Sequence, residues 1–421
     1  MMSNVRAKQS LRKVSATPES FYTRKYGGTQ LAQSVTRGEV PWEKLPYLTR
    51  GEIQNTPFTD RLYKPLSEID ALRVTSGTSG AGIMIIPRLG YADVDDATSH
   101  HAYFTRYDIR SWATFSSAFF FSHIKWLKNH NLQSMQLDPS DMSFSARVVG
   151  LFRPDMLAGF PYALTVLAPM LPKQATDSIR AILLFGERAS QLQRSFLKKT
   201  FPHAVLLEEY TSMEMQSPVG ESCLDAAERG ESRIHPIEEY AYVELINTDT
   251  GQPITEPNRT GEVVVTIVRD VAFPLIRYRT GDAAHFVEQS CGCDNAGTTL
   301  HIEGRLLVDR LRFAGGELQL AEVDRALGTI VEYCTGSDFE VRFSETAASD
   351  ESVLPALTVV LSWDTQRIAA DMLAARIADE LHVAPNRTWA DGVAAGALLP
   401  LTVARGSEDA NPKKRVRIVR V

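Results

Sequence analysis

Apolar positions change their rhythm along this chain. Residues 179–185 are apolar except for Arg180 and are closed by Gly186, the pattern of a strand buried on both faces. Ala189, Leu192 and Phe196 follow at helical spacing, and residues 204–207 form the next apolar run. Upstream, residues 153–159 read as a short strand, and Pro161 stands where a first helical residue should, opening an apolar helix to about Leu171. Strand, helix, strand, with both strands largely apolar, predicts a parallel sheet covered by helices. After Tyr210 the pattern shifts to strands over 240–246 and 262–268 around a turn containing Asp249-Thr250-Gly251, which predicts antiparallel or mixed pairing. From Asp309 onward the chain reads as a small α+β domain. It has a strand at 357–361, a helix with Ile368, Met372 and Ala375 on one face, and a strand at 415–419. The first seventy residues are helix and loop, punctuated by Pro41, Pro46, Pro57 and Pro65. The expected fold is α/β: a large N-terminal domain (1–308) of mixed and parallel sheets with flanking helices, and a small mobile α+β C-terminal domain (309–421).

Composition narrows the function classes. The 421 residues carry 45 Lys+Arg against 51 Asp+Glu, a net charge of −6, so no whole-chain affinity for nucleic acid is expected. No run of eighteen apolar residues occurs; the richest stretch, 112–121, is short and reads as core, so no membrane span is expected. Arg6, Lys8, Arg12 and Lys13 precede no apolar segment, so no secretory signal is expected and the N-terminal tail reads as a solvated, partly disordered end. Four cysteines do not make a disulfide scaffold; they fit a cytoplasmic protein in which clustered cysteines bind metal.

Three segments carry candidate chemistry. Thr75-Ser76-Gly77-Thr78-Ser79-Gly80 packs hydroxyls and glycines after a short apolar stretch, a composition that suits close approach of backbone N–H groups to phosphate. No Gly-Lys-Ser/Thr follows, so it is not a Walker loop, and a plain turn has the same composition. Residues 274–282 end in Gly281-Asp282, where a carboxylate after a tight turn can hold vicinal hydroxyls. Gly304-Arg305, Asp309 and Gly315-Gly316 suit an anion contact beside a swivel, or an ordinary linker. A fourth group is Cys223, His235, Cys291 and Cys293. Cys291-Gly292-Cys293 puts two thiols on one turn, and four such ligands suit a closed, structural tetrahedral zinc site. The alternative is unligated surface thiols. Cys334 stands apart and reads as a small buried hydrophobe.

Taken in order, these segments resemble the phenylacetate–coenzyme A ligase family of the adenylate-forming superfamily, from about Arg73 to the C-terminus. The resemblance rests on Ser76-Gly77-Thr78-Ser79-Gly80, Gly159-Phe160-Pro161, Phe185-Gly186-Glu187 and, most specifically, the Ile-Arg-Tyr-Arg-Thr-Gly-Asp string at 276–282. It implies that residues 75–80 hold the β- and γ-phosphates of ATP and that Gly186 and Glu187 line the adenine side. Tyr210 would stack on adenine, Glu214 would hold Mg²⁺, and Asp282 would bind the ribose hydroxyls with Arg305 nearby. Asp309 would be the hinge. The family's catalytic lysine falls at Lys414 or Lys413; Lys414 keeps the three-residue step to Arg417, and a basic solvated strand is the alternative. This sequence departs from the family at Ala81-Gly82, where Lys-Pro is usual, and at Thr211-Ser212-Met213 before Glu214. The implied reaction is activation of a carboxylic acid as acyl-adenylate, then transfer to coenzyme A. The aromatics of 99–123, including Tyr103, Phe104, Phe119, Phe120 and Phe121, favour an aryl acid; core packing is the alternative, and His100, His101 and His123 show no metal spacing. The departures also admit a ligase of an antibiotic pathway that serves an amine or hydroxyl acceptor, or a non-catalytic nucleotide- or acyl-binding relative. A homodimer is allowed.

Overall fold

The computed structural model describes all residues except 1–3, 17–18, 76–83, 90–101, 116–130, 289–290, 294–296, 307–308, 314–315, 348–352, 407–417 and 421. Strands β1 (Ile69–Val74) and β2 (Ile85–Leu89) form an antiparallel hairpin. The next eleven strands make one sheet: β3 (Ser111–Thr114), β4 (Gln133–Gln136), β5 (Met156–Gly159), β6 (Ala181–Phe185), β7 (Val205–Tyr210), β8 (Gly220–Ser222), β9 (Ile234–Pro236), β10 (Ala241–Ile246), β11 (Gly261–Ile267), β12 (Tyr278–Phe286) and β13 (Leu300–Arg305). Their order is β10-β11-β12-β13-β9-β8-β7-β6-β5-β3-β4. From β7 to β4 every pairing is parallel, and from β7 to β10 every pairing is antiparallel.

The parallel half is covered on both faces, as its apolar runs predict. Leu157, Ile182, Leu184 and Leu206 pack under the helices Pro161–Leu167 and Gln191–Thr200, while Met156, Ala158, Ala181, Leu183, Phe185 and Leu207 meet Tyr103, Phe104 and Trp112. The alternation follows from the two-residue strand period.

The antiparallel half is covered by the N-terminal segment. Helix Val5–Ser15 buries Ala7, Leu11 and Val14 in the same cluster as Tyr22, Trp42, Leu45, Leu48 and Ile53. The expectation of a solvated tail is thereby corrected: those three apolar positions lie at i, i+4 and i+7, a helical stripe hidden among basic neighbours.

The C-terminal region has its own core. Strands Cys334–Ala347 and Val353–Trp363 pair as a long hairpin, with Thr402–Arg405 and Ile418–Arg420 added in parallel at the two edges. Helices Leu320–Gly328 and Ala370–Glu380 pack on it. The latter helix buries Leu373, Ala374, Ile377 and Ala378 and leaves Met372 and Ala375 exposed. The expected face is therefore wrong: Ile368 is buried, but it precedes the helix, and counting from it rotates the stripe.

Among the described residues, Leu192, Arg188 and Asp324 join this region to the parallel half. Leu192 inserts into the C-terminal core, and Asp324, fully buried, accepts from Arg188 Nη1 at 2.8 Å and from Gln191 N at 2.7 Å. Among the described residues no helix is long and apolar enough to cross a membrane.

Candidate active site and metal centre

Three of the motif segments leave the carboxyl ends of adjacent parallel strands, where open α/β sheets bind ligands. Gly159-Phe160-Pro161 follows β5, Gly186-Glu187 follows β6, and Tyr210 ends β7. Gly186 has φ +80°, and a Cβ there would lie 2.4 Å from Phe160 Cε1, so both conformation and space require glycine. Glu187 Oε1 accepts from Tyr162 N at 3.3 Å, in the first turn of the helix that Pro161 opens. A carboxylate there suits the positive end of the helix.

Asp282, on β12, is the centre of a buried network. Oδ1 pairs with Arg305 Nε at 2.8 Å, and Oδ2 accepts from the Tyr210 hydroxyl at 2.8 Å. Tyr210 Oη also lies 3.3 Å from Thr280 Oγ1. Asp282 raises the guanidinium pKa of Arg305, and burial, reinforced by Asp282, pushes the Tyr210 phenol well above its ordinary range. At the far end Asp309 Oδ2 accepts from Arg305 N at 2.5 Å, and Gly304 (φ +136°) leaves room for that carboxylate. The residue expected to be the hinge thus touches the backbone of the arginine that pairs with Asp282.

Glu214 is buried beside β12. It accepts from the Tyr278 hydroxyl at 2.9 Å and pairs with Arg50 Nη1 at 3.3 Å. Arg50 Nη2 lies 3.4 Å from Thr75 Oγ1, which also accepts from Met84 N at 2.9 Å and so closes the base of the β1–β2 loop. Ser76, Gly77, Thr78, Ser79 and Gly80 lie outside the described residues, as do Lys413 and Lys414. The same holds for Phe119, Phe120, Phe121, His100, His101 and His123. Tyr103 and Phe104 are core, with the Tyr103 hydroxyl donating to Glu209 at 3.1 Å.

Two further residues have roles that the sequence reading did not assign. Arg50 belongs to no motif. Arg277 does, but its role is internal: fully buried, it pairs with Glu244 at 3.1 Å and donates to the carbonyls of Glu43 and Leu45 at 2.9 and 2.8 Å.

The four candidate metal ligands converge. Cys223 precedes the helix Leu224–Glu228, His235 sits on β9, and Cys291 and Cys293 lie between β12 and β13. Their donor atoms all fall within 4.8 Å of one another. His235 Nε2 is 3.2 Å from Cys293 Sγ and 3.4 Å from Cys291 Sγ. The two sulfurs are 2.9 Å apart, too far for a disulfide bond of about 2.05 Å. Gly292 (φ +78°) makes the turn, and Arg229 Nη2 donates to the Cys291 carbonyl at 3.0 Å, tying it to the helix. Burial lowers the His235 pKa and so favours the neutral imidazole a metal needs. Three thiols and one imidazole, from three separate segments, fit a tetrahedral zinc ion with no open position. Cys334 packs against the C-terminal core, and burial pushes its thiol up to about 12.

No family model matches the chain. A phenylacetate-coenzyme A ligase from Thermus thermophilus is 22% identical over 142 residues, which are 34% of this chain; the match spans about a third (32%) of that relative's length. Among solved structures, 2-hydroxyisobutyryl-CoA ligase in its postadenylation state aligns with TM-score 0.72 at 16% identity, covering 99% of this chain and 88% of the ligase. The same ligase with 2-HIB-AMP and CoA in the thioesterification state gives 0.57 over the same shares at 16% identity. The O-succinylbenzoate coenzyme A synthetase of Bacillus subtilis, in complex with ATP and magnesium ion, gives 0.51 at 17% identity over 80% and 67%. The chain has the fold of the adenylate-forming acyl-CoA ligases, the fold that its resemblance to the phenylacetate–coenzyme A ligase family implies.

Proposed function

We propose that this chain is an AMP-forming carboxylate ligase. A carboxylate oxygen attacks the α-phosphorus of ATP, the bond to the bridging oxygen breaks, and pyrophosphate leaves. Coenzyme A is the proposed acceptor: its thiolate attacks the acyl carbon, the thioester forms, and AMP leaves. The observation that carries the reading is the buried Asp282–Arg305–Tyr210 network at the carboxyl edge of the parallel sheet. Asp282 would accept the ribose hydroxyls, Arg305 would pair with it, and Gly186 with Glu187 would border the base, on which Tyr210 would stack. Thr75, with Ser76, Gly77, Thr78, Ser79 and Gly80, would donate to the phosphates. Lys414, or Lys413, would meet the charge that develops at the α-phosphate. A Mg²⁺ ion held by Glu214 would supply neutralisation of the phosphate oxygens.

The domains are proposed as 1–308 and 309–421, with Asp309 as the hinge. Zinc at Cys223, His235, Cys291 and Cys293 would supply folding energy, not chemistry. An aryl carboxylate is the proposed acid, on the aromatic content of residues 99–123. The test is pyrophosphate exchange into ATP with the purified protein and a panel of aryl and aliphatic acids. Exchange that depends on an aryl acid is expected; none with any acid favours the non-catalytic reading. Adding coenzyme A, amines or phenols then names the acceptor from the product: thioester, amide or ester.

A further inference from the structure

The segment between β1 and β2, residues 75–84, contains no lysine or arginine. A loop that is to hold the two terminal phosphates of ATP then supplies no side-chain cation of its own, and a residue elsewhere in the fold can supply one beside any Mg²⁺. We propose that Arg50 is that cation: it contacts the β- and γ-phosphates when the nucleotide binds. The proposal rests on the adenylation reading above and adds a residue to it.

The geometry places Arg50 at the base of the loop. Its guanidinium lies 3.4 Å from Thr75 Oγ1, the first residue of the loop, and 3.3 Å from Glu214 Oε1, the proposed Mg²⁺ ligand. The side chain is 21% exposed. Both contacts are longer than the roughly 2.7–2.9 Å of a strong charge-assisted hydrogen bond. Arg50 thus pairs with a buried carboxylate over a longer contact than that. A divalent cation on Glu214 would take over that pairing and leave the guanidinium to turn to phosphate, which matches its planar fork.

The backbone of Arg50 is held firmly. Leu48 bridges β12 at Tyr278: its N–H donates to the Arg277 carbonyl and its carbonyl accepts from Arg279 N, each at 2.9 Å. Arg277 reaches under the segment to the carbonyls of Glu43 and Leu45 and to the Tyr47 hydroxyl. Thr49 and Glu52 form a reciprocal capping box around Arg50, and Lys25 pairs with Glu52. The Ile-Arg-Tyr-Arg string thus does two things at once. Tyr278 holds Glu214, and the residues on either side of it hold the strap that delivers Arg50 to the same carboxylate.

Calorimetric titration of the whole protein with MgATP, with magnesium pyrophosphate and with AMP tests this. Arg50→Ala is expected to weaken MgATP and pyrophosphate by about tenfold to a hundredfold and to leave AMP unchanged. Equal weakening of all three ligands would mean that Arg50 only neutralises Glu214 and would overturn the proposal. So would MgATP affinity equal to that of the unaltered protein. If Arg50→Ala does not fold, Arg50→Lys decides on the same criterion, since it keeps the charge and loses the fork. If the unaltered protein binds neither ATP nor AMP, the nucleotide reading itself falls and takes this assignment with it.

Discussion

Asp282 holds a cation on one oxygen and a phenol on the other, at 2.8 Å each, with less than a tenth of its surface exposed. A buried carboxylate so placed can give its Tyr210 bond to a ribose hydroxyl without losing its counter-charge. Asp282→Ala is therefore expected to weaken ATP binding by about 1.5–3 kcal/mol, the range for hydrogen bonds to a charged group. Titration of the variant checks this, with Asp282→Asn as the control that keeps shape without charge; undiminished binding by Asp282→Ala would remove the ribose assignment. At this scale the sequence was informative where a motif carries the residue. Asp282, Arg305 and Tyr210 fall in one buried network, and Thr75 and Glu214 are joined through Arg50. Arg50 itself was illegible, because nothing in its neighbours marks it; its role comes from a bridge to a strand more than two hundred residues away.

Among elements, the unbroken apolar runs were the most legible feature. Both sides of β6 are buried, so all five of its residues had to be apolar or small. Helices were harder. The stripe of Val5–Ser15 is three residues wide and interrupted by Arg6, Lys8, Arg12 and Lys13, so charge concealed its burial. The face of Ala370–Glu380 was misphased by a buried residue outside the helix. The Cys-Gly-Cys turn between β12 and β13 was legible because few physical causes place two thiols on one turn facing a third and an imidazole. One zinc per chain is expected by elemental analysis of protein made in zinc-replete medium. Cys291→Ser should lose the metal and lower Tm, since closing this site ties three segments together. Metal-free protein with an unchanged Tm on added chelator would show that the cluster holds nothing.

Over the whole molecule, the two cores meet at Leu192, Arg188 and Asp324. Arg188 directly follows Glu187, so the strand end proposed to border adenine also carries the domain contact. On the adenylation reading proposed above, the Asp324 contact, beside the strand end proposed to border adenine, is expected to favour the first half-reaction. Asp324→Ala should slow adenylate formation and spare thioester formation from supplied acyl-adenylate, measured by single-turnover quench; equal loss in both would make the contact purely structural. Lys414→Ala should show the same split more strongly, because charge develops at the α-phosphate in the first step alone. If Lys413→Ala shows it instead, the register of residues 412–417 is shifted by one. The central claim is carboxylate attack on the α-phosphorus, and isotope transfer reads it directly. With an accepted acid labelled with ¹⁸O in its carboxylate, and coenzyme A as acceptor, mass spectrometry should find one ¹⁸O in the released AMP. Unlabelled AMP, or label in inorganic phosphate alongside ADP, would contradict the account.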